Sequence, residues 1–204
     1  MKRILWIAVL ALALPMAAFA SNSVDFTNSG GTLSGSSAGL SLSGSELIAV
    51  NGLNGLGLVT GSLGSLSFST GALTSGSLGM GGTFAGGSSS SFVIDGNGLG
   101  GIPTGAIFSG SFDGPVTWTM IVLANGTHEY TLTGTITGTW YNGSTVYGAS
   151  VQLTINTGRG YFNGSTRISS GDTNVTTVPE PSTLSFLGTG LLGVAGLLRR
   201  KLKV

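Results

Sequence analysis

The stretch Thr127–Tyr141, which reads THEYTLTGTITGTWY, decides the fold class. A set of mostly apolar residues that includes Tyr130, Leu132, Ile136 and Trp140 alternates in it with polar residues. Because successive side chains of a strand point to opposite faces, a period of two predicts a β-strand with one buried face. The polar face carries five threonines, which we call the threonine row: Thr131, Thr133, Thr135, Thr137 and Thr139.

The same alternation extends to both sides of this stretch. Val116, Trp118, Met120 and Val122 alternate with Thr117, Thr119, Ile121 and Leu123, and apolar and polar residues alternate again over 151–155. The pairs Asn125-Gly126 and Asn142-Gly143 separate these runs, and Asn-Gly supplies the positive φ angles that a tight hairpin needs. The sequence therefore predicts an antiparallel β meander within residues 116–177.

Residues 21–115 show no such regularity. Leucines recur there among glycines and serines at uneven intervals, and we predict short strands, with candidates at 63–68, 92–94 and 106–112. A β body of residues 21–177 is long enough to bury one core. We expect an all-β protein whose body is a single antiparallel β-sandwich of jelly-roll type. A β-solenoid is the alternative, because Gly/Ser/Leu-rich turns also stack in solenoids.

Composition narrows the class of function. The 204 residues include 37 glycines and no cysteine, and 7% are charged. The lack of cysteine excludes disulfides and thiol catalysis. The formal charge of +1 comes from basic chain ends, since residues 21–178 hold six acids and only two arginines. We expect no nucleic-acid partner, because such a partner requires a basic surface to neutralise phosphates.

The N-terminus has the order of a secretory signal peptide. Lys2 and Arg3 precede the apolar run Ile4–Leu14, and small residues follow up to an A-x-A pattern formed by Ala18 and Ala20. The apolar run of about 11 residues is short for a membrane span, which needs about 20. We therefore predict that residues 1–20 are a signal peptide cleaved after Ala20.

Residues 178–204 combine three elements in a fixed order. The motif Pro179-Glu180-Pro181 comes first, an uncharged stretch follows at about 182–198, and a basic cluster ends the chain: Arg199, Arg200, Lys201 and Lys203. As a helix the uncharged stretch from Pro181 measures about 27 Å, enough to cross a hydrocarbon core. Basic flanks stay cytoplasmic. The sequence predicts one transmembrane helix, with the β body exported to the far side of the inner membrane.

This C-terminal order resembles the PEP-CTERM sorting segment of exported bacterial proteins. The resemblance covers residues 178–204, and the same segment is also known as a C-terminal domain of ice-binding proteins. It implies recognition in the inner membrane by an exosortase-type protease, removal of the tail near Pro179-Glu180-Pro181, and delivery to the cell surface or an exopolysaccharide matrix. A permanent single-span anchor is the alternative.

The motifs for catalysis and metal binding are incomplete. Gly35–Gly39 fits G-x-S-x-G, but no helix pattern follows it. His128 is the only histidine of the chain, and it falls on the apolar face of the predicted strand, which favours a packing role. Residues 21–177 contain no lysine, which removes Schiff-base chemistry. We expect no catalytic residues, no metal site and no cofactor.

Two classes of function remain open. The chain is either a non-catalytic exported surface or extracellular-matrix protein, or a module that binds polysaccharide or ice through the threonine row. Successive hydroxyls on one face of a strand stand about 6.6 to 6.8 Å apart, a regular array that could contact polysaccharide hydroxyls or order water. A solvated face chosen for β propensity is the simpler interpretation of the same threonines.

Overall fold

The computed structural model describes residues 23–168 and 170–176, and within them the chain is built from β-strands joined by turns and three short 3-10 segments. The predicted all-β class is confirmed. The described strands are β1 Ser23–Ser29, β2 Thr32–Ser36, β3 Gly39–Asn51, β4 Val59–Ser69, β5 Leu73–Ser77, β6 Gly81–Phe84, β7 Ser91–Asn97, β8 Thr104–Phe112, β9 Val116–Val122, β10 His128–Trp140, β11 Thr145–Gly158, β12 Ser165–Arg167 and β13 Ser170–Thr176.

Two predicted segments lie outside the described residues, namely the signal peptide at 1–20 and the transmembrane helix at about 182–198. Among the residues that are described, no helix is long and apolar enough to cross a membrane.

These strands belong to one hydrogen-bonded sheet in the order β11-β13-β1-β3-β4-β7-β8-β10-β9-β6-β5. In addition β2 pairs with β3 and β12, and β10 pairs with β11. The predicted jelly-roll sandwich would have two separate sheets, and this single sheet differs from it. The reason is that long strands change partners along their length: β10 pairs with β9 through residues 128–133 and with β8 through residues 136–140. Every described pairing is antiparallel, unlike the parallel coils of the solenoid alternative.

Strand β10 has the two faces that its sequence predicts. Tyr130, Leu132 and Ile136 are fully buried, whereas the threonine row lies on the opposite face. Two glycines on the inward face provide space for neighbouring rings. A Cβ atom at Gly134 would lie 2.8 Å from Cδ1 of Phe112, and one at Gly138 would lie 2.6 Å from Cζ of Phe108. Large aromatic rings can therefore pack flat under this strand.

The predicted meander is present as β9, β10 and β11, which pair in succession. In the β9–β10 turn, the Asn125 side-chain oxygen accepts hydrogen bonds from the Thr127 backbone N–H at 3.0 Å and from its hydroxyl at 2.8 Å. Asn142 accepts two equivalent bonds from Ser144 in the β10–β11 turn. The meander ends with β11, because the next strands pair elsewhere: β12 pairs with β2 and β13 pairs with β1.

Residues 21–115, whose sequence shows no regular period, contain strands β1–β8. The three predicted segments lie inside β4, β7 and β8. The 13-residue strand β3 escaped prediction because it gains an extra residue between Leu42 and Ser45 against β4 and another between Leu47 and Ala49 against β1. Each β-bulge adds a residue and so interrupts the period of two.

The core lies on one face of this sheet, which folds over onto itself. Phe26 of β1 stacks on Trp140 of β10 with ring centroids 6.3 Å apart, although these two strands are not hydrogen-bonded to each other. A second group of rings joins β4, β7 and β8 through Phe68, Phe92 and Phe112. The buried apolar residues form one continuous core on this face of the sheet. The opposite face of the sheet is polar and forms an extended surface.

Candidate functional site

The threonine row extends into a two-dimensional array, because hydroxyl and amide side chains of the neighbouring strands lie directly across from it. Thr131 is paired with Thr119 of β9 and Thr154 of β11, and Thr133 with Thr117 and Gln152. Thr135 lies opposite Ser150, and Thr139 lies between Ser109 and Thr145. Neighbouring strands are about 4.8 Å apart, so this face presents polar groups in two directions.

Thr137 differs from the rest of the row, because its hydroxyl is hydrogen-bonded within the protein. Its Oγ1 donates to Oδ2 of Asp113 at 2.5 Å and accepts a long bond from the Gly148 N–H at 3.4 Å. The β10–β11 register also shifts between Ile136 and Gly138. Toward β11, the regular part of the array therefore runs from Thr131 to Thr135, because β11 carries an extra residue beyond that point.

A shallow hollow of about 520 Å³ lies over this regular part, and we call it the threonine hollow. Its lining comes from β9, β10, β11 and β13 and includes Thr117, Thr133, Thr135, Ser150, Gln152 and Asn174. The lining is neutral and rich in hydroxyls and amides, so it can donate and accept hydrogen bonds in several directions.

A second hollow of about 550 Å³ adjoins the first, and we call it the carboxylate hollow. Its polar lining comes from β1, β3, β11 and β13 and includes Asp25, Thr27, Asn51, Gln152, Thr154, Asp172 and Asn174. The side-chain amide group of Asn174 donates a hydrogen bond to the Asp25 carboxylate. The same amide group also donates to the Ser23 hydroxyl oxygen at 2.9 Å. These contacts orient the Asp25 carboxylate at the pairing of β1 with β13.

Sequence reasoning missed the carboxylate hollow entirely. Asp25 lies opposite Asn174 and Asn51 in the sheet, but Asn174 is 149 positions away in the chain. A long-range strand pairing leaves no local motif. One feature of the sequence pointed toward this hollow. Asp172 and Asn174 alternate with Thr173 and Val175, which are buried in the structure, and such alternation indicates a strand with a polar outer face.

His128 occupies a packed position, as its place on the apolar face suggests. It is 7% exposed and its ring lies 4.3 Å from the ring of Tyr161. Its Nδ1 has no hydrogen-bond partner among the residues that the structure describes. In that same part of the chain, no three His, Cys, Asp or Glu side chains are grouped so that they could hold a metal ion.

The predicted sorting and processing residues lie outside the described residues. This holds for Ala18 and Ala20, for the motif Pro179-Glu180-Pro181, and for the basic cluster of Arg199, Arg200, Lys201 and Lys203. Their roles therefore rest on the sequence and on comparison with known families.

Comparison with known proteins gives one match. The family model of the PEP-CTERM protein-sorting motif matches residues 177–201. No curated protein and no solved structure matches the chain. The motif implies export and cell-surface sorting through an exosortase-type system. The chain is a protein that bears a PEP-CTERM protein-sorting motif at its C-terminal end.

Proposed function

We propose that this chain is a non-catalytic surface or extracellular-matrix protein, which an exosortase-type protease releases from a transient anchor in the inner membrane. The observation that carries the proposal is the sorting motif at residues 177–201. The order of a signal peptide, a β body, an uncharged stretch and a basic cluster supports it, because this order holds the body outside while the tail is processed. Such a tail suggests a cargo protein rather than an enzyme.

The β body is suited to that role. It folds around an apolar core and contains no cysteine, so it needs no disulfide formation after export. Its formal charge of −4 over residues 21–178 keeps it soluble outside the membrane.

Replacing Pro179, Glu180 and Pro181 together by alanine is expected to trap the protein in the inner membrane. The protease would lose its recognition motif while the uncharged stretch and the basic cluster remain. Fractionation of the native host followed by immunoblotting measures the effect, and we expect release to fall at least tenfold. The matched control replaces Ser182 and Thr183 by alanine and should be released normally. Normal release of the motif variant would contradict the proposal.

A second candidate function is polysaccharide binding through the threonine row. The observation that favours it is the threonine hollow, where Thr133 and Thr135 meet Thr117, Ser150 and Gln152. A hollowed face whose β11 side carries an extra residue opposite Thr137 suits a flexible polymer better than ice, whose lattice requires a flat and regular array. Ice binding by this face stays the alternative.

The double variant Thr133→Val/Thr135→Val tests the threonine hollow. Valine keeps the shape and the β propensity of threonine but removes the hydroxyls. Co-sedimentation with the exopolysaccharide of the native host should therefore weaken by about fivefold or more, since each lost hydrogen bond costs about 0.5–1.5 kcal/mol. Thr133→Ser/Thr135→Ser keeps both hydroxyls and should bind as the parent does. Equal binding by the valine variant would exclude this function, and loss of a thermal hysteresis would identify ice as the ligand instead.

A further inference from the structure

The two hollows form one continuous trough. They share Gln152 and Asn174, so the polar lining passes without interruption from β3 and β1 through β13 and β11 to β10 and β9. At about 4.8 Å between hydrogen-bonded strands, five such steps span at least about 24 Å. A trough of this length, running across the strands, fits an extended polymer of several units better than a single small molecule.

The trough lies where two neighbouring strands lack a regular ladder of hydrogen bonds. Strand β13 pairs with β1 over seven residues. It pairs with β11 at one position only, where Thr176 lies opposite Ser150. The outer side chains of β11 and β13, among them Gln152, Thr154 and Asp172, therefore border an open furrow. Its lining offers carboxylate, amide and hydroxyl groups, which together match a ligand with many hydroxyl and amino groups.

The charge of the trough selects among such polymers. Asp25 and Asp172 both line the carboxylate hollow. The described residues include only two arginines, Arg159 and Arg167, and neither lines the trough. A polyanion would meet like charge there without a cation to neutralise it, whereas a protonated amino group would find a carboxylate.

We propose that this trough binds a polysaccharide whose sugar units carry protonated amino groups. The inference rests on the proposed function, because export brings the body to the polysaccharides outside the cell. Asp25, oriented by Asn174, and Asp172 bind the amino groups, while Gln152, Thr133 and Thr135 bind sugar hydroxyls. No exposed aromatic ring lines the described trough. Each sugar unit is thus held weakly, and affinity grows with the number of units bound.

Calorimetric titration of the full chain in a non-ionic detergent tests the proposal. The probes are a hexamer of β-1,4-linked glucosamine, its fully N-acetylated counterpart and a hexamer of galacturonate. The first two share one backbone and differ in charge, so their comparison isolates the amino groups. We expect the glucosamine hexamer to bind at least tenfold more tightly than either of the others. Its affinity should fall as salt rises from about 0.01 M to about 0.15 M and the screening length shrinks from about 30 Å to about 8 Å.

The double variant Asp25→Asn/Asp172→Asn assigns the binding to the trough. One exposed ion pair contributes up to about fivefold in affinity, so the double variant should bind the glucosamine hexamer about two- to twenty-five-fold more weakly. The control Glu46→Gln/Asp95→Asn also removes two negative charges, but from residues that line neither hollow. This control should bind the glucosamine hexamer as the parent does. Circular dichroism checks that both variants are folded.

The outcomes separate this inference from the proposed function. Equal binding of the acetylated hexamer, or tight binding of galacturonate, would overturn the charge selection. An unchanged affinity of the Asp25→Asn/Asp172→Asn variant, or no binding of any hexamer, would overturn the trough as the site. Export and processing are measured independently by the fractionation of the Pro179-Glu180-Pro181 variant, so none of these results bears on them.

Discussion

Replacing Trp118 by alanine is expected to lower the free energy of unfolding by about 3–5 kcal/mol, as truncation of a buried aromatic ring generally does. Trp118 is 1% exposed and stacks on Tyr130 with ring centroids 4.8 Å apart. Its Nε1–H donates to the Leu78 carbonyl oxygen at 2.9 Å. The substitution removes ring contacts and a hydrogen bond at the same time, and it leaves a cavity between β9 and β10.

This site also anchors two loops to the sheet. The Tyr130 hydroxyl donates to the Gly79 carbonyl oxygen at 2.8 Å and accepts from the Phe162 N–H at 2.9 Å. Phe162 in turn packs edge-on against Trp118 at 5.8 Å. Loss of the indole therefore loosens the segments at Gly79 and Phe162, in addition to the two strands.

Urea unfolding followed by far-ultraviolet circular dichroism measures the effect of Trp118→Ala. With a slope of about 2 kcal/mol per molar urea, the midpoint should fall by roughly 2 M. Tyr147→Ala is the matched control, because Tyr147 is an aromatic residue that is 58% exposed and should change stability by no more than about 0.5 kcal/mol. A Trp118→Ala midpoint within experimental error of the parent would contradict the packing described for β9 and β10.

Replacing Gly64 by alanine is the second substitution with a large expected effect. Gly64 lies in β4 opposite Gly96 of β7 and has a φ of +147°, a conformation that side chains other than hydrogen rarely allow. A Cβ atom there would overlap the Asp95 carbonyl oxygen and lie 2.9 Å from Cα of Gly96. We expect a loss of about 2–6 kcal/mol, the sum of about 1–3 kcal/mol each for backbone strain and for overpacking.

Gly114→Ala serves as the control for the Gly64 substitution. A Cβ atom at Gly114 would meet nothing within 4 Å, and its φ is outside the left-handed range. This variant should therefore unfold within about 1 kcal/mol of the parent, with any gain arising from a stiffer unfolded chain. The same urea midpoint for Gly64→Ala and Gly114→Ala would contradict the close approach of β4 and β7 at Gly64.

Local sequence pattern predicted those elements whose period is uninterrupted. The alternation of Tyr130, Leu132 and Ile136 with threonines identified β10, and Asn125 and Asn142 identified the turns that flank it. The same approach failed for β3, because bulges after Leu42 and Leu47 shift the buried positions. Periodicity reports a strand only where that strand itself gains no extra residue relative to its partners.

Long-range pairing explains what the sequence could not predict. The single sheet results from β10 changing partners and from β13 returning to β1, and neither event has a local signal. The carboxylate hollow depends on the same return, which brings Asp172 and Asn174 beside Asp25. The threonine row, in contrast, lies within one strand, and its place opposite the buried face of β10 followed directly from the alternation.

The proposed function requires that the protein is exported and then released by processing at its C-terminal sorting motif. Intact mass measurement of the protein from fractions of its native host tests this claim most directly, because it locates both termini. We predict an extracellular species that begins at Ser21 and ends near Pro179-Glu180-Pro181, well below the 20.3 kDa of the full chain. A membrane-bound species that retains Val204 at its C-terminus, with none released, would contradict the claim and indicate a permanently anchored β body.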